Sequence, residues 1–589
     1  MSEEKNNKLG ITRHSLAHIM ALAIKQLFPE VKFGIGPAIE NGFYYDFDLS
    51  NCEKKTFDPQ DLLKIEKRMK KIIQQNFKFE KKESSFEKVK ELFKNQPYKL
   101  ELIEELKISK KLQATSYKLH DFVDLCAGPH IESTKEINAE AFKLTKIAGA
   151  YWLGDEKNKM LTRIYGLAFN NKTELDNYLF MMAEAEKRDH RKIGKEMELF
   201  MMHDVAPGMP FFLPSGMVML NELIKFAREY SYGEGYREVR TPQLLNSELW
   251  KISGHWEYYQ ADMFCLHHTE DNIDIGIKSM NCPAHMLIFK QDIRSYRDLP
   301  LRIAETTTLY RKEKSGVLHG LTRVRSLSQD DTHIFLRLDQ ILDEILVLLD
   351  KVKNIYKIFD LQIDEIHLST RPENYLGEKD VWDKAENNLQ EALKKANLKY
   401  QINKGDGAFY GPKIDVKVKD AIGRQWQLAT IQLDFQLPIR FGLSYIDSDG
   451  LNKIPVVIHR AILGSMERFL GVLIEHYAGA FPVWLSPVQV KIISVGLAHI
   501  EFCKKLATEF KQNDIRVEVD DGNETVGNKI RKAVAEKAPY MLVIGDREMA
   551  SDKLNVRDRC VGTWHSPVPT REISKKGFIE KVKKEIKNK

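Results

Sequence analysis

Apolar positions along this chain change period several times, and the changes divide it. From residue 10 to about 170, helix-spaced stretches alternate with short strand-like runs. They end in IAGAYWLGDE and LTRIYGLAF, a glycine-punctuated pair that predicts strands. Thr173, with Asp176 three residues later, then has the form of a capping box, and LDNYLFMMAEAEKRDHRKIGKEMELF continues with helix formers and dense charge. A single linker helix over 171–195 is expected. Residues 196–484 mix long helical patterns with strands separated by Pro and Gly, without the regular alternation of a doubly wound parallel sheet. From about Pro487 the character changes again. VKIISVG, IRVEVDD and YMLVIGD alternate with helical segments such as FCKKLATEFKQN, which predicts a small α/β domain with a partly parallel sheet over 485–589. Its closing helix sets Phe578, Val582 and Ile586 on one face.

Length and composition narrow the function classes. A chain of 589 residues is too long for one hydrophobic core, so several domains are expected. With 43% hydrophobic and 30% charged residues, the composition gives little reason to invoke long disorder, and a chain folded throughout is expected. The net charge of +6 is a mild basic excess, compatible with a polyanionic partner but not selective for one. The start, MSEEKNNKLGITRHS, has no apolar signal core, and no stretch reaches the roughly 18 apolar residues that a membrane span needs. A cytoplasmic protein without membrane contact is therefore expected. Cys52, Cys126, Cys265, Cys282, Cys503 and Cys560 are scattered, which suits a reducing compartment and thiols free for metal or core.

Candidate chemistry concentrates in the middle region. In LRIAETTTLYRKE, read as a strand, Arg311 and Glu313 face one side. An Arg fork can clamp phosphate while a carboxylate accepts from the amino edge of adenine. An isolated R-x-E, however, is more often a surface ion pair. YREVRTPQLLNSELW reads as a strand with Pro242, and VIHRAILGSMERFLGVLIEHY as a helix in which Gly464 and Ser465 lead to Arg468. Neither a phosphate loop nor a dinucleotide fingerprint is present, so a nucleotide would be bound by another device. Near the start, TRHSLAHIM puts His14 and His18 on one helix face, and DLCAGPH offers Cys126 and His130 across a turn. Alone, these four read as a structural or hydrolytic zinc tetrad.

The three middle segments, together with KSMNCPAHM, SLSQDDTHIF, FYGPKIDV and PGMPFFLPSG, resemble motifs two, one and three of class II aminoacyl-tRNA synthetases, and the threonyl members in particular. The resemblance runs from about His14 to the C-terminus. It implies an α+β multidomain chain: an editing domain over 1–170, the linker helix, an antiparallel-sheet class II aminoacylation core over 196–484, and an anticodon-binding domain over 485–589. The implied reaction is ATP-dependent attachment of L-threonine to tRNA-Thr through a threonyl-adenylate. Cys282, His333 and His459, each by itself an ordinary core or surface residue, are grouped by the resemblance as ligands of one Zn2+ per subunit. One Cys and two His leave a coordination position open, as catalytic zinc sites do.

Further roles follow from the same resemblance. Arg311 would bind the α-phosphate, Arg468 the triphosphate or adenine, and Arg323 the phosphates, with Glu313 on the adenine and Mg2+ accompanying ATP. Asp331 and Gln329 would hold the amino end of threonine, Tyr410 and Met280 line its pocket, and Lys413 and Gln427 support it, while His255 would assist transfer to the tRNA ribose. Valine has no hydroxyl for the metal and is strongly rejected. Serine loses only a methyl, a difference of roughly 1 to 3 kcal/mol, so a second, hydrolytic site is needed. His14, His18, Cys126 and His130 are assigned to editing mischarged Ser-tRNA-Thr, with Lys99 and Asp124 positioning water or substrate, and a metal there is left open. Asn523, Arg531 and Arg557 would read anticodon bases. The expected partners are tRNA-Thr, ATP, L-threonine and a second copy of the chain, paired through the Pro242 region. Many family members carry a small ubiquitin-like domain ahead of the editing domain, whereas here the editing segment starts almost at once. A serine or proline synthetase would share the arginines but not the zinc ligands. A non-catalytic tRNA-binding relative would have lost one or the other, and a zinc hydrolase would account for the first domain alone.

Overall fold

Two compact units, Met1–Ala183 and Glu184–Lys589, make up the chain in a computed structural model. It describes residues 2–108, 113–233, 235–268, 273–559 and 570–589, so Cys560 lies outside the described residues. The other five cysteines are all free, as expected.

In the first unit the helix Ser2–Leu27 buries Leu16, Ile19, Met20 and Ala23 in a core shared with Phe43, Tyr45 and Phe47 and with the helix Pro59–Gln74. One antiparallel sheet runs in the order Lys32–Phe33, Gly42–Asp48, Met160–Ala168, Phe142–Tyr151. The last two strands are those expected from the glycine-punctuated pair. A second antiparallel sheet joins Phe79–Ser84, Ala114–Leu119 and Phe122–Leu125.

The linker differs from expectation. Its helix, Lys172–Arg188, begins ahead of Thr173, because Asn171 Oδ1 accepts the Glu174 amide at 2.9 Å, so the cap is Asn171 and not Thr173. It is also two helices and not one. The Asp189 carboxylate accepts the Arg191 amide at 2.8 Å and starts a new helix, His190–Glu196.

The second unit is built on an eight-stranded sheet. Its order is Tyr236–Glu238, Leu301–Glu305, Asp331–Leu336, Val456–Ala461, Gln425–Asp434, Lys413–Lys419, Gln362–Ser369, Gln401–Asn403. Every pairing is antiparallel except the outermost at each edge. The helices Pro214–Phe226, Ile341–Ile358 and Met466–His476 bury apolar faces in its main core. Three motif readings are corrected here. VIHRAILGSMERFLGVLIEHY is not one helix: its β-branched start pairs on both sides as Val456–Ala461, and only Met466–His476 is helical. The strand around Pro242 stops at Glu238, ahead of a proline that has no N–H to donate. The strand carrying the R-x-E breaks after Glu305, resumes at Thr308–Tyr310 and ends before Arg311.

The C-terminal part has its own core and a five-stranded sheet in which Val490–Ser494 pairs in parallel with Val517–Asp520 and Tyr540–Ile544. The remaining pairings, to Lys553–Asp558 and on to Thr570–Ser574, are antiparallel. The closing helix Lys575–Lys587 buries Phe578 and Val582, with Ile586 packed alongside. Among the described residues no helix is long and apolar enough to cross a membrane.

Candidate active site

Strand register assembles the first part of the larger site. His333 and His459 are cross-strand partners, and Gln432 faces His459 from the other side. Cys282 opens the helix Cys282–Lys290. Three residues distant in sequence thus bring ligand atoms within 4.8 Å of one another, all buried. They line a cleft of about 360 Å³ together with Met280, Gln329, Asp331, Tyr410 and Gln432. Arg311, Gln329, Leu428 and Thr430 also belong to an adjoining cleft of about 340 Å³ that is lined by Glu313, Arg323, Gln427, Gly464 and Arg468. The two share Arg311, Gln329, Leu428 and Thr430, with three candidate metal ligands at one end and arginines at the other.

Electrostatics differ between the halves. Burial, then Asp331 and Asp434, push the Cys282 thiol well above its ordinary range. Burial, then His459 and His285, push His333 well below its own. Two buried imidazoles and a thiol that needs a cation beside it to ionise form a donor set suited to Zn2+. Burial raises Asp331, whose Oδ2 accepts Asn281 Nδ2 at 2.9 Å. In the cationic half, the Nε atoms of Arg311 and Arg468 are buried without a hydrogen-bond partner. Burial, then Arg323, lower the pKa of Arg468. Such an arrangement suits a polyanion. Glu313 reaches the same cleft from a loop, and its partner is Arg323, at 2.9 Å.

Two expected site residues lie elsewhere. Lys413 lines neither half; Asp406 at 3.0 Å and Asp415 at 2.5 Å hold its ammonium. His255 is fully buried, with Nδ1 2.8 Å from Ser253 Oγ and Nε2 2.9 Å from Met280 Sδ. Its Nε2 is also 3.8 Å from Cys282 Sγ.

Sequence reasoning missed several neighbours. Asp434 Oδ2 takes His459 Nε2 at 2.9 Å, and Gln432 Oε1 accepts the Tyr410 hydroxyl at 2.5 Å. Both lie on the strand Gln425–Asp434 at alternate positions, among Leu428, Ile431 and Leu433. Inward polar side chains in a central apolar strand were the available signal.

The first unit assembles the other expected cluster. Cys126 Sγ lies 3.3 Å from His14 Nε2 and 3.4 Å from His130 Nε2, and ligand atoms of all four residues fall within 4.8 Å. Gly128, at φ +72°, makes the turn between Cys126 and His130. Asp124 is buried beneath, 3.5 Å from His18 Nε2, 2.5 Å from Lys99 Nζ and accepting the Tyr45 hydroxyl at 2.6 Å. Burial lowers His14 and His18, and burial with His18 and His14 alongside drives His130 down to about 2. Burial likewise pushes the Cys126 thiol up to about 11. Tyr45 and Ser15, whose Oγ lies 3.1 Å from His130 Nδ1, were not foreseen. Of the three anticodon candidates, Asn523 is exposed in a loop, Arg531 is exposed within the helix Val526–Ala535 and past its start, and Arg557 lies on the strand Lys553–Asp558.

Comparison with known proteins gives three family matches. Residues 264–477 match the tRNA synthetase class II core domain (G, H, P, S and T), 489–585 the anticodon binding domain, and 115–165 the threonyl and alanyl tRNA synthetase second additional domain. The threonine–tRNA ligase of Thermotoga neapolitana is 50% identical over 98% of this chain and 88% of its own length. That of Clostridium botulinum has the same identity over the same shares. Among solved structures, the RNA binding domain of threonyl-tRNA synthetase from Cryptosporidium parvum is 41% identical, with a TM-score of 0.64, over 67% of this chain and 98% of that one. A prolyl-tRNA synthetase from the same organism, 17% identical at a TM-score of 0.51, covers 67% of this chain and 74% of that one and shares the fold alone.

Proposed function

The chain belongs to the threonine–tRNA ligases, and from that premise we propose that Cys282, His333 and His459 hold a zinc ion at which threonine is told from valine. The enzyme attaches threonine to tRNA at the expense of ATP, and its first unit edits. The observation that carries the zinc reading is the convergence of these three buried ligands on the floor of a cleft whose other half is cationic. Bound there, zinc supplies a Lewis-acid position that an amine and a hydroxyl can share.

The chain's own residues do the rest. Asp331 receives the amino group and Gln329 flanks it, while Tyr410, fixed by Gln432, closes one wall. Arg311, in both halves of the cleft, sits where the threonine carboxylate meets the α-phosphate of ATP. Attack of a carboxylate oxygen on that phosphorus forms threonyl-adenylate and releases pyrophosphate. Arg468 and Arg323 balance the negative charge, with Mg2+ accompanying the nucleotide. A terminal ribose hydroxyl of tRNA-Thr then attacks the acyl carbon of the adenylate, the bond to the phosphate oxygen breaks and AMP leaves, and Asn523, Arg531 and Arg557 contact the anticodon. In the first unit, water attacks the carbonyl carbon of the mischarged seryl ester, and an imidazole of the His14–His18–His130 cluster takes the one proton that the water gives up. The ester C–O bond breaks to release serine and the tRNA ribose hydroxyl, which recovers that proton, with Lys99 and Asp124 orienting the ester.

The test is amino-acid-dependent ATP–pyrophosphate exchange with threonine, serine and valine, in the enzyme and in Cys282→Ala. Strong exchange with threonine, less with serine and almost none with valine, lost in the variant, is expected. Exchange that ignores the hydroxyl, or survives Cys282→Ala unchanged, overturns zinc selection.

A further inference from the structure

Behind His333 lies a chain of buried polar groups that no step above uses. His285 Nδ1 is 2.8 Å from His333 Nδ1, and its Nε2 is 3.0 Å from Glu305 Oε2. Glu305 also accepts Lys278 Nζ at 3.0 Å, the Thr241 amide at 2.8 Å and the Thr241 hydroxyl at 2.9 Å. His285, Glu305 and Lys278 have no exposed surface. Four donors converge on one buried carboxylate.

Direction follows from what each atom can do. A carboxylate beside an ammonium accepts hydrogen bonds and donates none, so the proton between His285 and Glu305 sits on His285 Nε2. For His333 to bind a metal through Nε2 its proton must sit on Nδ1, and His285 Nδ1, 2.8 Å away, is then the acceptor. His333 Nε2 then keeps the lone pair that a metal needs. The reverse orientation would set the His285 Nε2 lone pair against Glu305. His459 is oriented in the opposite sense, with Nε2 donating to Asp434 and Nδ1 left for the metal.

We propose that His285 and Glu305 are positioning residues of the amino-acid site, fixing the ring orientation and tautomer of His333 through the relay Lys278–Glu305–His285–His333. The proposal rests on the zinc reading of Cys282, His333 and His459. It goes further in assigning two buried residues, neither of which lines the cleft, to amino-acid selection. Partners of metal-bound histidines typically change metal affinity by roughly 10- to 100-fold when removed.

Zinc affinity, measured on the full chain by competition with a chromophoric chelator, tests this, with the visible spectrum of the Co2+-substituted protein as a second readout. The decisive pair is His285→Asn against His285→Gln. The shorter amide puts its oxygen near the position of Nδ1 and keeps an acceptor for His333. The longer one reaches toward Glu305 and gives His333 none. Zinc should bind His285→Asn at least about ten-fold more tightly than His285→Gln, with Glu305→Gln weakened as well. KM for threonine should rise in the weakened variants while KM for ATP stays near its starting value. Equal zinc affinity and unchanged Co2+ bands across variants that melt as the parent does would overturn the relay, provided that Cys282→Ala loses zinc. If Cys282→Ala also keeps its zinc, the site assignment falls and the relay with it.

Discussion

His130 illustrates how burial decides the protonation of the first unit's cluster. Its pKa is held at about 2 by burial and by His18 and His14, against about 6.5 when unfolded. Between those values the unfolded chain binds the extra proton, so stability falls as pH drops below about 6.5, at about 1.4 kcal/mol per pH unit for this group. The urea midpoint for unfolding of the first unit should therefore fall between pH 7 and pH 5, and less so in His130→Asn; a variant with the parent's pH dependence would show that His130 is not the group responsible. A second residue-scale prediction concerns Gly128, at φ +72° with Tyr117 Oη 2.3 Å from where a Cβ would stand. Gly128→Ala should displace His130 and slow seryl-tRNA hydrolysis while leaving threonine exchange unaffected. Residue types that announce metal or acid–base chemistry were legible in the sequence here: the H-x-x-x-H and C-x-x-x-H spacings named all four members of the cluster. Cys282, His333 and His459, the proposed zinc ligands, were grouped only by resemblance, because the proximity of His333 and His459 is a matter of cross-strand register, to which local spacing is blind. Asp434, His285 and Glu305 were missed for the same reason, since each acts through a partner at least 20 residues away.

Elements place these groups, and their ends matter more than their middles. Arg468 sits in the first turn of the helix Met466–His476, whose cap, Ser465 Oγ, accepts the Arg468 amide at 3.1 Å. Gly464, ahead of that cap, has φ +74°, donates to Asp330 Oδ1 at 2.9 Å and would put a Cβ 3.0 Å from the Leu428 carbonyl. Gly464→Ala should cost about 1–2 kcal/mol in backbone strain and shift the helix start that carries Arg468. KM for ATP should then rise several-fold with KM for threonine little altered. An equal rise in both would point to general disorder of the cleft. Element type was read well where one period ran long, as in the paired strands Phe142–Tyr151 and Met160–Ala168 or the closing helix Lys575–Lys587. It was read badly where a strand hands over to a helix within one apolar run. In VIHRAILGSMERFLGVLIEHY the strand is central in the sheet and buried on both faces, with His459 and Arg460 on opposite sides, so the two-residue alternation that would have separated it from a helix is absent.

At the scale of the molecule, synthesis and editing occupy different compact units. All the residues lining the two halves of the cleft belong to Glu184–Lys589, and the whole His14–His130 cluster to Met1–Ala183. Each unit has its own hydrophobic core, so neither needs the other to bury its apolar surface. The division falls inside the helix Lys172–Arg188, and a cut at Glu184 would strand its last turn without a cap. A chain beginning at Asn170 keeps the Asn171–Glu174 hydrogen bonds that start the helix. Such a chain should fold, retain threonine-dependent exchange and go on rejecting valine, because the proposed zinc ligands and the arginines are all present. It should lose only the removal of serine. A methyl group separates serine from threonine by roughly 1 to 3 kcal/mol in the first selection, so without editing the steady-state share of seryl-tRNA should rise to the level set by that difference and the two amino-acid concentrations. Measuring seryl- and threonyl-tRNA at equal amino-acid concentrations, with the full chain and the shortened one, checks this. Full discrimination by the shortened chain would mean that the cleft excludes serine by itself and that the histidine–cysteine cluster has another task.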